Sequence, residues 1–168
     1  MKSLLLIILL IPLLINGQIE KVISKYSAHV GDIVFDEKQD DPDFKKCIDR
    51  DSGIQYYNDS KGFQYKGEKI AVEEKIKSLN LQSNKSSNGY ITIRFLVNCE
   101  GKTGMFRMQQ MNKDYKEKIF DKGLSDTLLS FTRNLQGWIP KQIKGKKVDY
   151  YQYLTYKIDN GKVSEILP

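Results

Sequence analysis

The sequence predicts an α+β fold in which a helix packs on a small antiparallel sheet, built as a β-hairpin, a helix and a C-terminal β-hairpin. A less regular N-terminal extension with a helix precedes this unit. Apolar residues alternate with polar ones over Tyr90–Cys99 and again over Tyr150–Ile158, whereas the apolar residues of Lys116–Leu135 recur at helical spacing. A period of two is typical of a half-buried strand and a period near 3.6 of a helix. A helix covering one face of such a sheet is a common layered arrangement.

Residues 1–17 are expected to be a signal peptide. Lys2 supplies a short positive segment, and the apolar run Leu4–Ile15 is shorter than the roughly 20 apolar residues of a bilayer span. The small residue Gly17 favours cleavage before Gln18. The mature chain would then be periplasmic or secreted, with no stable membrane anchor. An uncleaved anchor is the alternative.

Residues 18–88 form the predicted N-terminal extension. Its clearest element is a helix over Gly67–Leu81. Four apolar residues fall near one side of this helix: Ile70, Ala71, Ile76 and Leu79. The Ser- and Asn-rich stretch Gln82–Asn88 is typical of a linker. It precedes the predicted C-terminal domain, residues 89–168.

Two hairpins are predicted in the C-terminal domain. Strand Tyr90–Cys99 turns and returns over Thr103–Met111. Strand Tyr150–Ile158 is followed by Asn160-Gly161, the strongest hairpin signal in the chain, because both residue types tolerate a positive φ. Val163–Leu167 would pair back as a short last strand.

A helix is predicted between the two hairpins, over Lys116–Leu135, and Gly137 would end it. Its apolar stripe consists of Ile119, Leu124, Leu128, Phe131 and Leu135. Because Gly123 weakens helix continuity, a later start capped by Ser125 and Asp126 is the alternative.

A Trp-x-Pro turn and a basic loop follow the helix. Pro140 fixes φ and redirects the chain, so we expect Trp138 to be a structural residue that covers the end of the core. The loop carries four lysines: Lys141, Lys144, Lys146 and Lys147. Lysines beside aromatic residues can bind nucleic acid or an anionic glycan. A solvated loop that protects a sheet edge is the simpler interpretation, and export makes nucleic acid a poor partner.

The chain has two cysteines, Cys47 and Cys99. An exported protein meets an oxidising environment, so the even count favours a disulfide between them. Two separate thiols are the alternative. The absence of a Cys-x-x-Cys pair leaves a thioredoxin-like redox role without support.

Positions spread over residues 89–168 follow the order of one known module. They are Gly89, Ile91, Ile93, Phe95, Val97 and Gly101 in the first hairpin, Leu128 and Leu135 in the helix, then Trp138, Pro140 and Gly145, and the strand Tyr153–Tyr156. This half of the chain resembles the TonB C-terminal domain of Gram-negative envelopes. The resemblance implies a protein-binding module whose partner peptides join the edge of the sheet.

We therefore expect an exported, non-catalytic module that binds an envelope protein, such as an outer-membrane receptor or transporter, by strand addition. The edge would be the last strand or Tyr150–Ile158. The candidate partner-binding residues are Tyr150, Tyr151, Tyr153, Lys144, Lys146 and Lys147. The alternatives are an envelope enzyme that acts on cell-wall or glycan substrate through carboxylates, and a structural envelope scaffold.

The residues give no support for a metal site, a cofactor or a catalytic site. His29 is the single histidine and has no nucleophile at a characteristic spacing. Two distant cysteines do not make a zinc site. The acidic stretches Asp36–Asp43 and Asp49–Gly53 lack the further ligands that a calcium loop has at fixed offsets.

Overall fold

The computed structural model describes residues 31–48, 54–57 and 62–167. Its fold is of the predicted α+β class, with two helices and seven strands in these ranges. They are β1 (Ile54–Gln55), α1 (Glu68–Ser78), β2 (Gly89–Val97), β3 (Thr103–Met111), α2 (Lys122–Asn134), β4 (Lys141–Ile143), β5 (Lys146–Val148), β6 (Tyr150–Asp159) and β7 (Lys162–Leu167). The predicted signal peptide, His29 and Asp49–Gly53 lie outside the described residues.

Strand β6 lies inside a five-stranded sheet. It pairs antiparallel with β2 over nine residues, from Tyr150 opposite Val97 to Ile158 opposite Gly89, and β3 continues the sheet beyond β2. On its other side, β6 pairs with β1 near Tyr150 and with β7 from Thr155 onward. The β1–β6 pairing is parallel, so the sheet is mixed and the prediction of an antiparallel sheet is wrong here. A strand of two residues is too short to show alternation in the sequence.

The turn between β6 and β7 depends on Asn160-Gly161. Their φ angles are +52° and +74°, the positive values that two-residue hairpin turns require. The Gly161 N–H donates to the Ser87 carbonyl at 2.9 Å. A Cβ at Gly161 would come within 2.5 Å of the carbonyl oxygens of Ser83 and Asn84. The glycine thus lets the polar linker pack against the end of the sheet.

Helix α2 starts later than the sequence predicts. Its N-cap is Asp121, whose carboxylate accepts a hydrogen bond from the Leu124 N–H at 3.1 Å. The helix therefore begins neither at residue 116 nor after a Ser125 cap. Leu124 and Leu128 are buried as expected, but Ile119 precedes the helix and is 84% exposed.

Helix α1 buries only part of the predicted side: Ile76 is buried and Ala71 packs against the core, as predicted. Val72 and Ile76, one turn apart, are buried, whereas Ile70 and Leu79 are exposed. Apolar residues are spread around this helix, so their spacing did not define the buried side. Packing of α1 against β7 determines which side is buried.

The main core lies between the helices and one face of the sheet. Trp138 is 3% exposed, and its ring centroid lies 4.9 Å from that of Tyr65 and 5.1 Å from that of Phe95. Tyr65, Val72 and Ile76 come from residues 18–88 and join the same core as the C-terminal strands. The domain boundary at residue 88 stays a prediction, and both sides of it contribute to one core.

Residues 31–48, which we call the N-terminal strap, cover part of the opposite face of the sheet. A second apolar cluster lies beneath the strap and consists of Ile33, Leu96, Met105 and Tyr151, with Phe44 packed against it. A Cβ at Gly104 would lie 2.3 Å from the Phe44 ring, so this glycine makes room for the strap. This end of the sheet is buried on both faces.

Replacing Trp138 by alanine is expected to lower the free energy of unfolding by about 3–5 kcal/mol, since a buried aromatic side chain would leave a cavity. Ile139→Ala is the matched control, because Ile139 is 40% exposed. Chemical denaturation of both variants measures the difference. Equal stabilities would show that Trp138 does not fill the core.

Candidate partner-binding site

The predicted binding tyrosines of β6 do not form an exposed edge. Tyr150 is fully buried, and its hydroxyl donates to the Ile139 carbonyl at 3.0 Å. Tyr151 is 3% exposed, and its hydroxyl oxygen accepts from the Ile33 N–H at 3.0 Å. Tyr153 is half-buried. The prediction that β6 supplies a free edge is wrong, because β6 has strand neighbours on both sides.

The basic loop is a small hairpin of β4 and β5. Lys141 is 1% exposed, and its ammonium donates to the Tyr56 carbonyl at 2.5 Å, so this lysine ties the hairpin to the end of β1. The other three lysines are exposed: Lys144, Lys146 and Lys147. They lie near the Tyr150 end of β6, whereas β7 pairs with the opposite end, from Thr155 onward. The lysines therefore do not flank the edge of the last strand.

Two longer strands of the described sheet, β3 and β7, have a strand neighbour on one side only. The outer edge of β3 is partly occupied, because the Lys118 N–H and the Arg107 guanidinium donate to carbonyls of this strand at 3.1 and 2.8 Å. On β7, the Ile166 carbonyl accepts from the Lys69 ammonium at 3.1 Å. A flexible lysine side chain is easier for a partner to displace than a backbone segment. The freer edge is therefore that of β7.

A buried ion pair holds the strap against β3. The Arg107 guanidinium donates to both carboxylate oxygens of Asp40, at 2.7 and 2.6 Å. It also donates to the Val34 carbonyl at 2.7 Å, and the Asp36 N–H donates to Asp40 at 2.9 Å. The side chains of Arg107 and Asp40 are 9% and 1% exposed. A bidentate pair with further hydrogen bonds is the arrangement in which buried charges are best satisfied.

These contacts change the acidity of Asp40. Burial opposes ionisation, but the hydrogen bonds from Arg107 and the Asp36 N–H and the positive charge of Arg107 outweigh it. The pKa of Asp40 is therefore lower than its ordinary value of 3.8. The carboxylate stays ionised at neutral pH and keeps the strap in place.

A second arginine anchors the start of the strap. Arg94 on β2 is fully buried and donates to the Gly31 carbonyl. Its guanidinium carbon lies 4.1 Å from the ring centroid of Tyr151 and 5.3 Å from that of Tyr153. Tyr151 and Tyr153, which the sequence predicted to bind a partner, therefore contact a buried cation through the faces of their rings.

The predicted disulfide between Cys47 and Cys99 is confirmed, and it fits an oxidising compartment. Asp149 lies beside it, and its carboxylate accepts from the N–H groups of Cys47, Ile48 and Cys99 at 2.8 to 3.0 Å. The sulfurs and this carboxylate form the one group of potential metal ligands in the described residues. Because the sulfurs are bonded to each other, they are not available as thiolate ligands.

Sequence reasoning missed Arg94, Arg107, Asp40 and Asp149. One signal was present: Arg94 and Arg107 interrupt otherwise apolar or uncharged strands, and the acidic stretch Asp36–Asp43 offers partners of opposite charge. No signal marked Asp149, whose role comes from three backbone groups that only the fold brings together.

No protein-family model, no curated protein and no solved structure matches this chain. The resemblance to the TonB C-terminal domain therefore rests on the motif residues alone. Neither helix of the described ranges is long and apolar enough to cross a membrane.

Replacing Asp40 by asparagine should lower the free energy of unfolding at pH 7 by about 3–5 kcal/mol, because it leaves the Arg107 charge buried without a counter-charge. The pKa of Asp40 is depressed in the folded state, so the pair stabilises the fold above the unfolded-state pKa. This contribution disappears as the pH falls below 3.8 and through the folded-state pKa.

Denaturation between pH 7 and pH 2 tests this expectation. Wild type and the exposed-site control Asp43→Asn should both lose this part of their stability on acidification, and Asp40→Asn should lose less. If all three proteins share one pH dependence, Asp40 does not contribute through its charge.

Proposed function

We propose that this chain is an exported, non-catalytic protein-binding module of a Gram-negative envelope, similar to the TonB C-terminal domain. In this proposal it binds an extended segment of an envelope protein, such as an outer-membrane receptor or transporter, along the outer edge of β7. The observation that carries the proposal is that β7 pairs with β6 alone among the described strands. Its outer backbone can therefore accept a further strand.

The direction of the β6 backbone indicates which β7 groups face outward. The Tyr56 N–H donates to the Tyr151 carbonyl, so Tyr151 directs its backbone groups away from β2. Because alternate residues of a strand point to opposite sides, Ile158 directs its groups toward β2. Val163 lies opposite Ile158, and its own N–H and carbonyl therefore point to the outer edge.

The Ile166 carbonyl gives the same orientation independently. It is bonded to Lys69, which lies on α1 and not on a strand, so it also faces away from β6. The register shift between Lys157 and Ile158 adds one residue, Ser164, to β7. Val163 and Ile166, three positions apart, are therefore both outward positions on one edge. An extended peptide would bond to both and replace the lysine contact.

The disulfide and the motif order support the remaining parts of the proposal. A disulfide fits an exported protein better than a cytosolic one. The hairpin, the helix and the Trp-x-Pro turn follow in the order of the family that the sequence resembles. Strand addition takes its affinity from backbone hydrogen bonds, so it does not need the tyrosines that β6 buries.

Substituting Val163 by proline should abolish partner capture, because proline removes the outward N–H and is tolerated at edge positions of a sheet. Val163→Thr is the matched control, since it keeps the N–H and the β-branched shape. A photo-cross-linking residue at exposed Lys162 on β7 would record capture in cells, and the same residue at exposed Lys113 would serve as the positional control.

We expect a specific cross-linked product from position 162 that is retained in the Val163→Thr background and is reduced at least tenfold in the Val163→Pro background. Melting temperatures would establish that both variants fold. Equal products from positions 113 and 162, or undiminished capture by a folded Val163→Pro variant, would contradict strand addition at β7.

A further inference from the structure

A cavity of about 530 Å³ lies at the end of the sheet where the strap, β1 and the β4–β5 hairpin meet. Its volume is within the roughly 300–1,000 Å³ of small-molecule sites. Protein interiors otherwise leave few voids larger than a water molecule. This cavity lies at the opposite end of β6 from β7, so it is separate from the proposed peptide edge.

The inner wall of the cavity is apolar and mainly aliphatic. Six side chains supply it: Ile48, Ile54, Leu96, Ile143, Val148 and Tyr151. Aliphatic walls suit an alkyl chain, and filling the space removes apolar surface from water on both ligand and protein.

The charged lining of the same cavity is strongly basic. Four lysines line it: Lys46, Lys144, Lys146 and Lys147. Among the described residues of the lining, the one acidic side chain is that of Asp149, and its carboxylate already accepts three backbone N–H groups. In this described part of the lining, four positive charges against one negative charge leave a net attraction for an anion. Three of these lysines, Lys144, Lys146 and Lys147, are the exposed lysines that lie away from β7.

We propose that this cavity binds a fatty acid, with its alkyl chain among the aliphatic side chains and its carboxylate against the lysines. The ligand needs both features, because the apolar wall does not select a charge and exposed lysines alone hold an anion weakly. The disulfide supports the site, since Lys46 and Ile48 flank Cys47, whose bond to Cys99 fixes this wall of the cavity.

Isothermal titration of the folded protein with octanoate, decanoate and dodecanoate, each below its micelle concentration, tests the alkyl-chain part. Each added methylene should strengthen binding about fourfold, corresponding to about 0.8 kcal/mol. Dodecanol, which has the same chain without a charge, should bind about two- to fivefold more weakly than dodecanoate at low salt. Affinities that do not change with chain length would overturn the proposal.

Two sets of variants test the location. Lys144→Gln, Lys146→Gln and Lys147→Gln combined should remove the preference for dodecanoate over dodecanol. The matched control combines Lys113→Gln, Lys116→Gln and Lys162→Gln, three exposed lysines outside this cavity, and should keep the preference. Ile143→Trp, at a half-buried position of β4, should weaken binding of both ligands by filling the space.

Equal behaviour of the two lysine sets would overturn the location. If an acidic peptide with aliphatic residues bound in the cavity and dodecanoate did not, the fatty-acid assignment would be wrong. The lysine variants change exposed side chains, so they remain informative if Ile143→Trp fails to fold.

Discussion

The pairing of β2 with β6 is the constraint on which the rest of the structure depends. These two strands run side by side over nine residues, and the end that contains Leu96 and Tyr151 is covered on both faces. The helices and Trp138 cover one face, and the strap covers the other. A strand in this position cannot offer an edge, which moves any strand addition to the periphery of the sheet.

The strap covers the second face of the sheet and buries two arginines there, and strap residues accept hydrogen bonds from both. The Arg107 guanidinium donates to the Asp40 carboxylate. The Arg94 guanidinium donates to the Gly31 carbonyl and lies over the ring of Tyr151. Removing water from charges is costly unless each finds such partners. The disulfide restricts the unfolded chain and holds the end of the strap near the hairpin turn after β2. The strap is therefore a part of the fold, and it also forms one wall of the fatty-acid cavity that we propose.

The sequence was informative where one face of a strand is apolar and the turn chemistry is strong. Alternation located the ends of β2 to within two residues and those of β6 to within one residue, and Asn160-Gly161 located the last turn. It was misleading where burial comes from contacts distant in the chain. Ile119 matches a helical stripe but lies outside α2. Lys141 looked like a solvated loop residue, although it is buried and its ammonium donates to the Gln55 and Tyr56 carbonyls. The tyrosines of β6 looked like an exposed binding surface because β1 and the strap, which cover them, have no periodic pattern.

In the function that we propose, the interior of the sheet stabilises the fold and the β7 edge binds the partner. Amide hydrogen exchange of the folded protein, alone and with the cross-linked partner, tests that division most directly. We expect slow exchange throughout β2 and β6 in both states, and fast exchange of the Val163 amide that slows when the partner binds. Fast exchange in β6, or a partner that slows β6 amides and leaves Val163 unchanged, would contradict it.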